Sequence, residues 1–328
     1  MRSTPELYPE RAAERDAWIL SRRDPSARAA LDPRRPYAYL VEDERAENGE
    51  VVPVATLFLT NRECPWRCLM CDLWQSTLTE KLPPGAIPEQ IDHALADLPP
   101  ARQIKLYNSG SYFDPNAIPV EDDEAVAARV RNFERVIVES HPALVGDRCL
   151  RLRDLVSPAR LEVAMGLETV HPEAGERLNK RMTLDGFTRA ANFLRAHDVA
   201  LRVFILVKPP FLDEAEGLEW ALRSLDFAFD CGATVAALIP TRFGHPGHGA
   251  LRTLGEQGHF SPPKLATLES ALAAGIALGR GRVFADLWDL ERFSDCPRCF
   301  AARAERLRIM NLTQTVPLLP PCECRSSI

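Results

Sequence analysis

Seven of the nine cysteines in this 328-residue chain fall into two tight groups, and their spacing is where chemistry is first legible. Cys64, Cys68 and Cys71 stand in a C-x3-C-x2-C arrangement within the segment Asn61 to Asp72. Three thiolates on one short loop can hold three irons of a [4Fe-4S] cube and leave the fourth iron open to an outside ligand. Structural zinc takes four closed ligands, so three cysteines with no adjacent histidine serve it poorly. The second group is Cys296-Pro-Arg-Cys299, then twenty-two residues, then Cys322-Glu-Cys324. Four thiolates form a complete tetrahedral set for structural zinc and equally a complete set for an auxiliary [4Fe-4S] cluster. Spacing alone does not separate the two. The isolated Cys149 and Cys231 read as small buried apolar residues.

A loop that holds three thiolates needs a rigid support, and the flanking sequence supplies an alternation of strands and helices. Val54–Thr60 is a short, mostly apolar run of the kind buried on both faces. Further strands are expected at Gln103–Asn108, Arg135–Glu139, Arg160–Leu167, Leu201–Val207, Thr234–Ile239 and Val283–Leu287. Helices are expected between them, near Pro88–Leu98, Asp122–Asn132 and Leu150–Val156, and from Thr183 to His197. Asp213 with Glu216 opens another helix as a capping box. Ser261-Pro262 marks one more helix start. Repeated alternation implies parallel strands joined by crossovers. Six or seven such units, with no Gly-x-Gly-x-x-Gly after the first strand, favour a partial (β/α)6–7 TIM-like barrel over a dinucleotide-binding sheet. The expected organisation is an N-terminal extension (1–53), the barrel (54–290) and a cysteine-rich metal-binding extension (291–328) closing the barrel's bottom. Within the first segment a short helix near Ala12–Arg22 and a hairpin around Asn48-Gly49 are expected.

Barrel enzymes place their sites at the C-terminal ends of the strands. The first cysteine group begins there, and Glu139, Glu168, Lys208 and Arg242 each follow an apolar strand. The carboxylates could accept from ribose hydroxyls or an amine, and the cations could receive a carboxylate or phosphate. The competing reading is a ring of rim ion pairs. His141 and His171 also follow strands and are plausible pocket residues. His245 and His248, in Phe243-Gly-His-Pro-Gly-His-Gly249, read as part of a solvated loop or lid.

The loop Cys64–Cys71, on this strand, resembles the signature of the radical S-adenosylmethionine (radical SAM) superfamily. That resemblance implies a cluster whose open iron binds the amino and carboxylate groups of SAM, with reduction producing a 5′-deoxyadenosyl radical. Met70 stands where the superfamily usually has an aromatic residue near the adenine. Asn108, Ser109, Gly110 and Ser111 stand where it often has a Gly-Gly-Glu turn that meets the methionyl amino group. Glu139, Ser140 and the following His-Pro are similar to a Glu-Thr-Arg-Pro segment of the subgroup that contains the elongator catalytic subunit. Gly166-Leu-Glu168 is similar to its Gly-Leu-Glu segment, and Lys208 lies in place of its Gly-x-Pro-Gly turn. With Arg242, the pattern is similar to the archaeosine synthase radical SAM subunit family and its bacterial relatives. The resemblance implies SAM-site roles for these residues, with His141, His171 and Arg242 toward substrate, and it favours iron–sulfur for the C-terminal cysteines.

The implied activity is hydrogen abstraction from an organic substrate, either a modified tRNA nucleobase or an amino-acid adduct of one. A radical enzyme of small-molecule biosynthesis and a non-catalytic iron–sulfur or zinc redox sensor are the alternatives. A reductant such as flavodoxin or ferredoxin is the implied partner. Forty basic against forty-six acidic residues, a net charge of −6, disfavours broad binding of RNA, which leans on phosphate neutralisation. The cluster Arg298, Arg303, Arg306 and Arg308 is the one basic stretch that could offset this. No apolar run reaches the 18 or so residues of a membrane span, and the charged N-terminus lacks a signal-peptide core, so a cytoplasmic location is expected.

Overall fold

In the computed structural model, which describes residues 7–322 and 324, the strand signals form one sheet of eight strands in sequential order. β1 (Ala38–Arg45) and β2 (Val51–Phe58) pair as an antiparallel hairpin. Asn48-Gly49 makes the turn, with Gly49 at φ 88° in the region that favours glycine. From β2 onward every pairing is parallel, through β3 (Gln103–Tyr107), β4 (Arg135–Ser140), β5 (Arg160–Glu168), β6 (Ala200–Val207), β7 (Val235–Pro240) and β8 (Arg282–Ala285). Seven parallel strands curl into a half-barrel, as the alternation implied. The hairpin's second arm is the first barrel strand itself, because Val51–Val54 continues without a break into the apolar run.

The connecting helices are α2 (Ala86–Asp97), α3 (Asp123–Val130), α4 (Asp147–Val156), α6 (Leu184–Ala196), α7 (Glu214–Asp230) and α9 (Leu265–Ala277). Thr183 caps α6 through the Gly186 N–H, and the Asp213–Glu216 capping box opens α7. α9 starts at Leu265, three residues beyond Pro262, and the N–H of its N-cap Lys264 donates to Glu214 on α7 (2.7 Å). Three elements were not anticipated from the sequence. They are α5 (Pro172–Arg177), α8 (Gly249–Glu256) and the start of α10 (Pro297–Thr313). At six residues, α5 is too short to show a stripe, whereas α8 does bury Ala250, Leu251 and Leu254 on one face.

Apolar side chains pack between the sheet's outer face and the helices, with Val136, Val138, Val163 and Met165 meeting residues such as Phe187, Leu194 and Leu225. Cys149 and Cys231 belong to this layer. The concave face differs. Glu162 of β5, fully buried, accepts from Arg135 (3.1 Å) and Arg202 (2.6 Å), and Arg202 also reaches Glu44 of β1 (2.6 Å). Lys105 joins through Glu44 (2.7 Å). These charges hold one another where burial would otherwise be costly. Beside them lie the rings of Phe58, Tyr107 and Phe204 in edge contact.

α10 runs along the open side between the first and last strands, not across the bottom as expected. Its Asn311 side chain bonds both the N–H and C=O of Ala285 (2.9 Å each), and Gln314 does the same for Val283. Arg45 at the end of β1 donates to the Leu312 carbonyl (3.3 Å). Two side-chain amides therefore satisfy the exposed edge of β8, the usual weak point of an open sheet.

Candidate functional site

The chain leaves β2 through the buried Leu59, Thr60 and Asn61 and enters the cysteine loop. Cys64, Cys68 and Cys71 are half-buried and unbonded to one another. Glu63, beside the first cysteine, accepts from Arg23 (2.7 Å) and Arg28 (2.6 Å) and forms an ion pair with Arg67 (3.3 Å). Arg28 also donates to the Trp74 and Thr77 carbonyls (2.8 Å each), so the N-terminal segment clasps both ends of the loop. α1 (Ala12–Leu20) adds Trp18 and Ile19 to a small apolar cluster with Leu69 and α8. The sequence marks this segment as an N-terminal extension, and its bracing role depends on contacts distant in sequence.

His248 corrects the lid expectation, because it is fully buried against the cysteine loop. Trp74 Nε1–H donates to its Nδ1 (3.4 Å), so Nε2 carries the proton and donates to the Leu69 carbonyl (2.9 Å). Burial lowers its pKa. The neighbouring His245 N–H donates to Asp72 (2.8 Å), and a Cβ on Gly244 would meet that carboxylate at 2.9 Å. The loop is thus seated on the cysteine segment. His141 is a second brace, its ring stacked on Trp66 at 3.8 Å between centroids. Its Nδ1 accepts from the Ala143 N–H (3.2 Å) and its Nε2 faces the Lys180 carbonyl (3.1 Å), which assigns the Nε2–H tautomer. Burial, with Lys180 nearby, pushes its pKa down to about 4.

The turns at the ends of β3 and β4 face the cysteines. Glu139 accepts the backbone N–H groups of Asn108 (2.5 Å) and Gly110 (3.3 Å), so its carboxylate shapes the Asn108–Ser111 turn. Burial raises its pKa. Ser109, at φ 52°, meets Tyr37 Oη (2.9 Å), and Ser111 meets Ser140 (2.9 Å). Gly110 approaches the first cysteine so closely that a Cβ would lie 3.1 Å from the Cys64 Cβ. At the end of β5, Glu168 takes φ 66° and pairs with Lys180, and a Cβ on Gly166 would collide with both. Lys180 eluded sequence reading because it follows a short irregular segment; its charge also lies near Cys68 and Cys71. Asn179 beside it donates to the Arg67 carbonyl (2.7 Å).

The donor set fits a three-cysteine cluster with an added ligand. Asn108 is fully buried, and neither its Oδ1 nor its Nδ2 has a partner. A buried amide with no partner costs on the order of 1–3 kcal/mol. Thr60 Oγ1, Asn61 Oδ1 and Asn179 Oδ1, all around the same loop, are also unpartnered. Burial pushes the Cys68 thiol up to about 12 and Cys71 well above its ordinary value, so the loop's thiols hold their protons until a metal displaces them. Met70 is half-buried and, like Phe211 and Phe243, packs against the Leu69 cluster.

The remaining sequence-derived residues are engaged elsewhere on the rim. Lys208, at φ 53°, donates to Ser261 Oγ (2.7 Å) and pairs with Glu214 (3.0 Å). Arg242 pairs with Asp286 and donates to the Trp288 carbonyl (3.2 Å). Glu214, Ser261 and Arg242 line a cavity of about 600 Å3 beside β6 and β7. His171 caps α5 by accepting the Ala174 N–H (3.1 Å), with its ring on Trp220.

Cys296, Cys299, Cys322 and Cys324 do converge, all four sulfurs lying within 4.8 Å of one another. Cys296 is the N-cap of α10, and the Cys299 and Arg298 N–H groups draw its pKa down to about 6. Among the described residues no helix is long and apolar enough to cross a membrane.

No protein-family model matches the chain. It is 27% identical over 299 residues to archaeosine synthase subunit beta of Methanosarcina acetivorans, covering 85% of this chain and 84% of that one. It is 21% identical to an uncharacterised protein of Methanocaldococcus jannaschii, covering 91% and 87%. Among solved structures, Streptococcus suis SuiB bound to S-adenosylmethionine superposes with a TM-score of 0.50 at 11% identity. That match spans 75% of this chain but only 53% of SuiB, and it carries the fold alone. With three thiols at the mouth of a parallel half-barrel and relatives that share most of its length, the chain is similar to archaeosine synthase subunit beta and shares its fold with a structure solved with S-adenosylmethionine bound.

Proposed function

We propose that the chain binds a [4Fe-4S] cluster on Cys64, Cys68 and Cys71 and SAM beside it. Bound there, cluster and SAM supply a 5′-deoxyadenosyl radical that takes hydrogen from an organic substrate. The observation that carries this reading is the unpartnered, buried Asn108 amide on a turn drawn against Cys64. In this reading the amide meets the amino-acid end of SAM, while Glu139 keeps the turn's N–H groups occupied and the turn fixed. Ser109, Gly110, Ser111 and Ser140 set the turn's shape, and Gly166 leaves room for the Glu168–Lys180 pair. Lys180 offsets negative charge gathered at the three thiolates. Met70 would border the adenine. A reductant of flavodoxin or ferredoxin type would deliver the electron.

The relatives named archaeosine synthase support a substrate related to a modified tRNA nucleobase, including an amino-acid adduct. One observation favours the second reading, a small molecule met free in solution. Arg303 is buried on Glu269 (2.7 Å), Arg306 donates to the Pro317 carbonyl (2.8 Å) and Arg308 pairs with Glu305 (2.8 Å). Arg303 and Arg306 are therefore spent internally, while Arg298 and Arg308 stay exposed, so only about half of the basic stretch is open to phosphates. Anaerobic reconstitution, reduction and assay of 5′-deoxyadenosine test the chemistry. Running it with tRNA, with free nucleobase and with neither distinguishes the substrates. No 5′-deoxyadenosine under any condition, with full iron loading, would overturn the reading.

A further inference from the structure

We infer that Cys296, Cys299, Cys322 and Cys324 hold a single tetrahedral zinc ion that fastens the C-terminal segment as a strap along α10. The warrant begins with the sulfur separations. Cys296 and Cys322 lie 3.8 Å apart, Cys299 and Cys324 lie 3.7 Å apart, and no pair among the four exceeds 4.8 Å. Zinc–sulfur bonds of about 2.3 Å directed to the corners of a tetrahedron set sulfurs about 3.8 Å apart. A cube binds each thiolate through a different iron, which spreads the four sulfurs to roughly 6 Å. The observed quartet matches one central ion and is too tight for a cube.

The path of the chain explains why an ion is needed. α10 rises about 25 Å over its seventeen residues. Gln314, at φ 52°, then reverses the chain, and Cys322 must return to the helix's beginning. Eight steps of extended backbone reach about 26 Å, so the return is almost fully drawn out. Little else fastens it. Val316, Leu318 and Leu319 are exposed, Leu318 at 95%, and the named anchor is the bond from Arg306 to the Pro317 carbonyl. Holding an extended segment costs on the order of 1 kcal/mol of backbone entropy per residue, which these contacts do not offset. Four thiolates closing on an ion at its end do so.

The surroundings suit a tetrathiolate centre, which carries net negative charge. The N-terminus of α10 opens at Cys296, and Arg303 lies close enough to Cys299 to interact with it. With all four positions filled by protein, the ion has no vacancy for substrate. Its effect is mechanical. Phe293 and Asp295, immediately before Cys296, line the 600 Å3 cavity with Arg242, so the ion steadies one wall of that cavity.

The test uses the full chain carrying Cys64→Ala, Cys68→Ala and Cys71→Ala, so that iron at the first site does not enter the count. Purified without chelator, with both iron and zinc supplied, it should contain about one zinc and no acid-labile sulfide per chain. Adding Cys322→Ser and Cys324→Ser should cut bound zinc at least about tenfold and expose the last residues to proteolysis, with far-ultraviolet circular dichroism unchanged. About four irons with four sulfides would overturn the proposal in favour of a cube, and one iron without sulfide would overturn zinc as the ion. Protein devoid of metal overturns it as well. Because the first-site cysteines are absent throughout, none of these outcomes depends on SAM chemistry.

Discussion

The two cysteine groups are opposite solutions to holding sulfur. The first has three thiols on a loop whose shape is imposed from outside, by Glu63 with three arginines, by His248 on the Leu69 carbonyl and by His141 on Trp66. Its sulfurs are not gathered, and unpartnered polar atoms surround it. The second has four sulfurs gathered to within 4.8 Å at the end of an exposed return segment with few other anchors. Where the protein builds the frame first and leaves a position open, a ligand can enter and react. Where the frame itself depends on the sulfurs, the group is structural.

The largest effect should come from Cys68→Ala. SAM cleavage is expected to fall to background while thermal unfolding and circular dichroism stay near wild type, since the loop lies outside the apolar layer between sheet and helices. Formation of 5′-deoxyadenosine at the native rate would erase the distinction between the two groups.

Glu63→Ala attacks the external frame. Three guanidinium groups lose their shared carboxylate, one of them (Arg23) well shielded, and partial exposure keeps the cost at about 1–3 kcal/mol rather than that of a fully buried pair. Urea unfolding should register it. Iron at the first site should drop while metal at the C-terminal cysteines is unchanged. Equal loss at both sites would mean that the two groups share one support.

Asn108→Ala separates a ligand contact from a structural one. Without SAM the variant should be as stable as wild type or more so, because an unsatisfied buried amide has been removed. SAM affinity, followed by equilibrium binding to the reconstituted protein, should weaken about tenfold, equivalent to about 1.4 kcal/mol. A loss of stability with unchanged affinity would assign the amide to the fold.

The smallest effect is a pH dependence. His141 is neutral in the folded chain down to about 4, whereas the unfolded chain protonates it near its ordinary value of 6.5. Between those values the unfolded state binds more protons, so stability is complete above about 6.5 and is lost as pH falls toward 4. His141→Gln should flatten the thermal midpoint against pH over that window. An unchanged slope would show that stacking on Trp66 acts without the titration.

How much was legible depends on the distance over which each signal acts. The seven parallel strands were readable because each is a short apolar run between turn residues, a pattern complete within about eight residues. Thr183, Asp213 and Glu216 announced their helices for the same reason. α5 was not readable, being too short for a periodic stripe. The first cysteine group could be assigned its chemistry from three residues, and Glu139 and Glu168 could be placed at strand ends, but their hydrogen bonds could not be foreseen. Lys180 and Arg28 carried no local mark at all. His248 was misread as part of a mobile loop because Gly and Pro flank it, while its burial comes from Trp74 and Leu69, more than 170 residues away.

By itself the sequence determined the alternation, the sheet's parallel sense and which residues can donate sulfur. Those follow from side-chain type and from periods of two and 3.6 residues, which are local properties of a chain. Only the tertiary structure decided that Glu139 spends its carboxylate on backbone N–H groups and that Arg303 and Arg306 of α10 are spent internally. It alone brought four sulfurs to tetrahedral separation while leaving three apart. Each of these depends on which distant groups meet after the sheet curls, and a buried polar atom's role is set by the partner it finds there or fails to find.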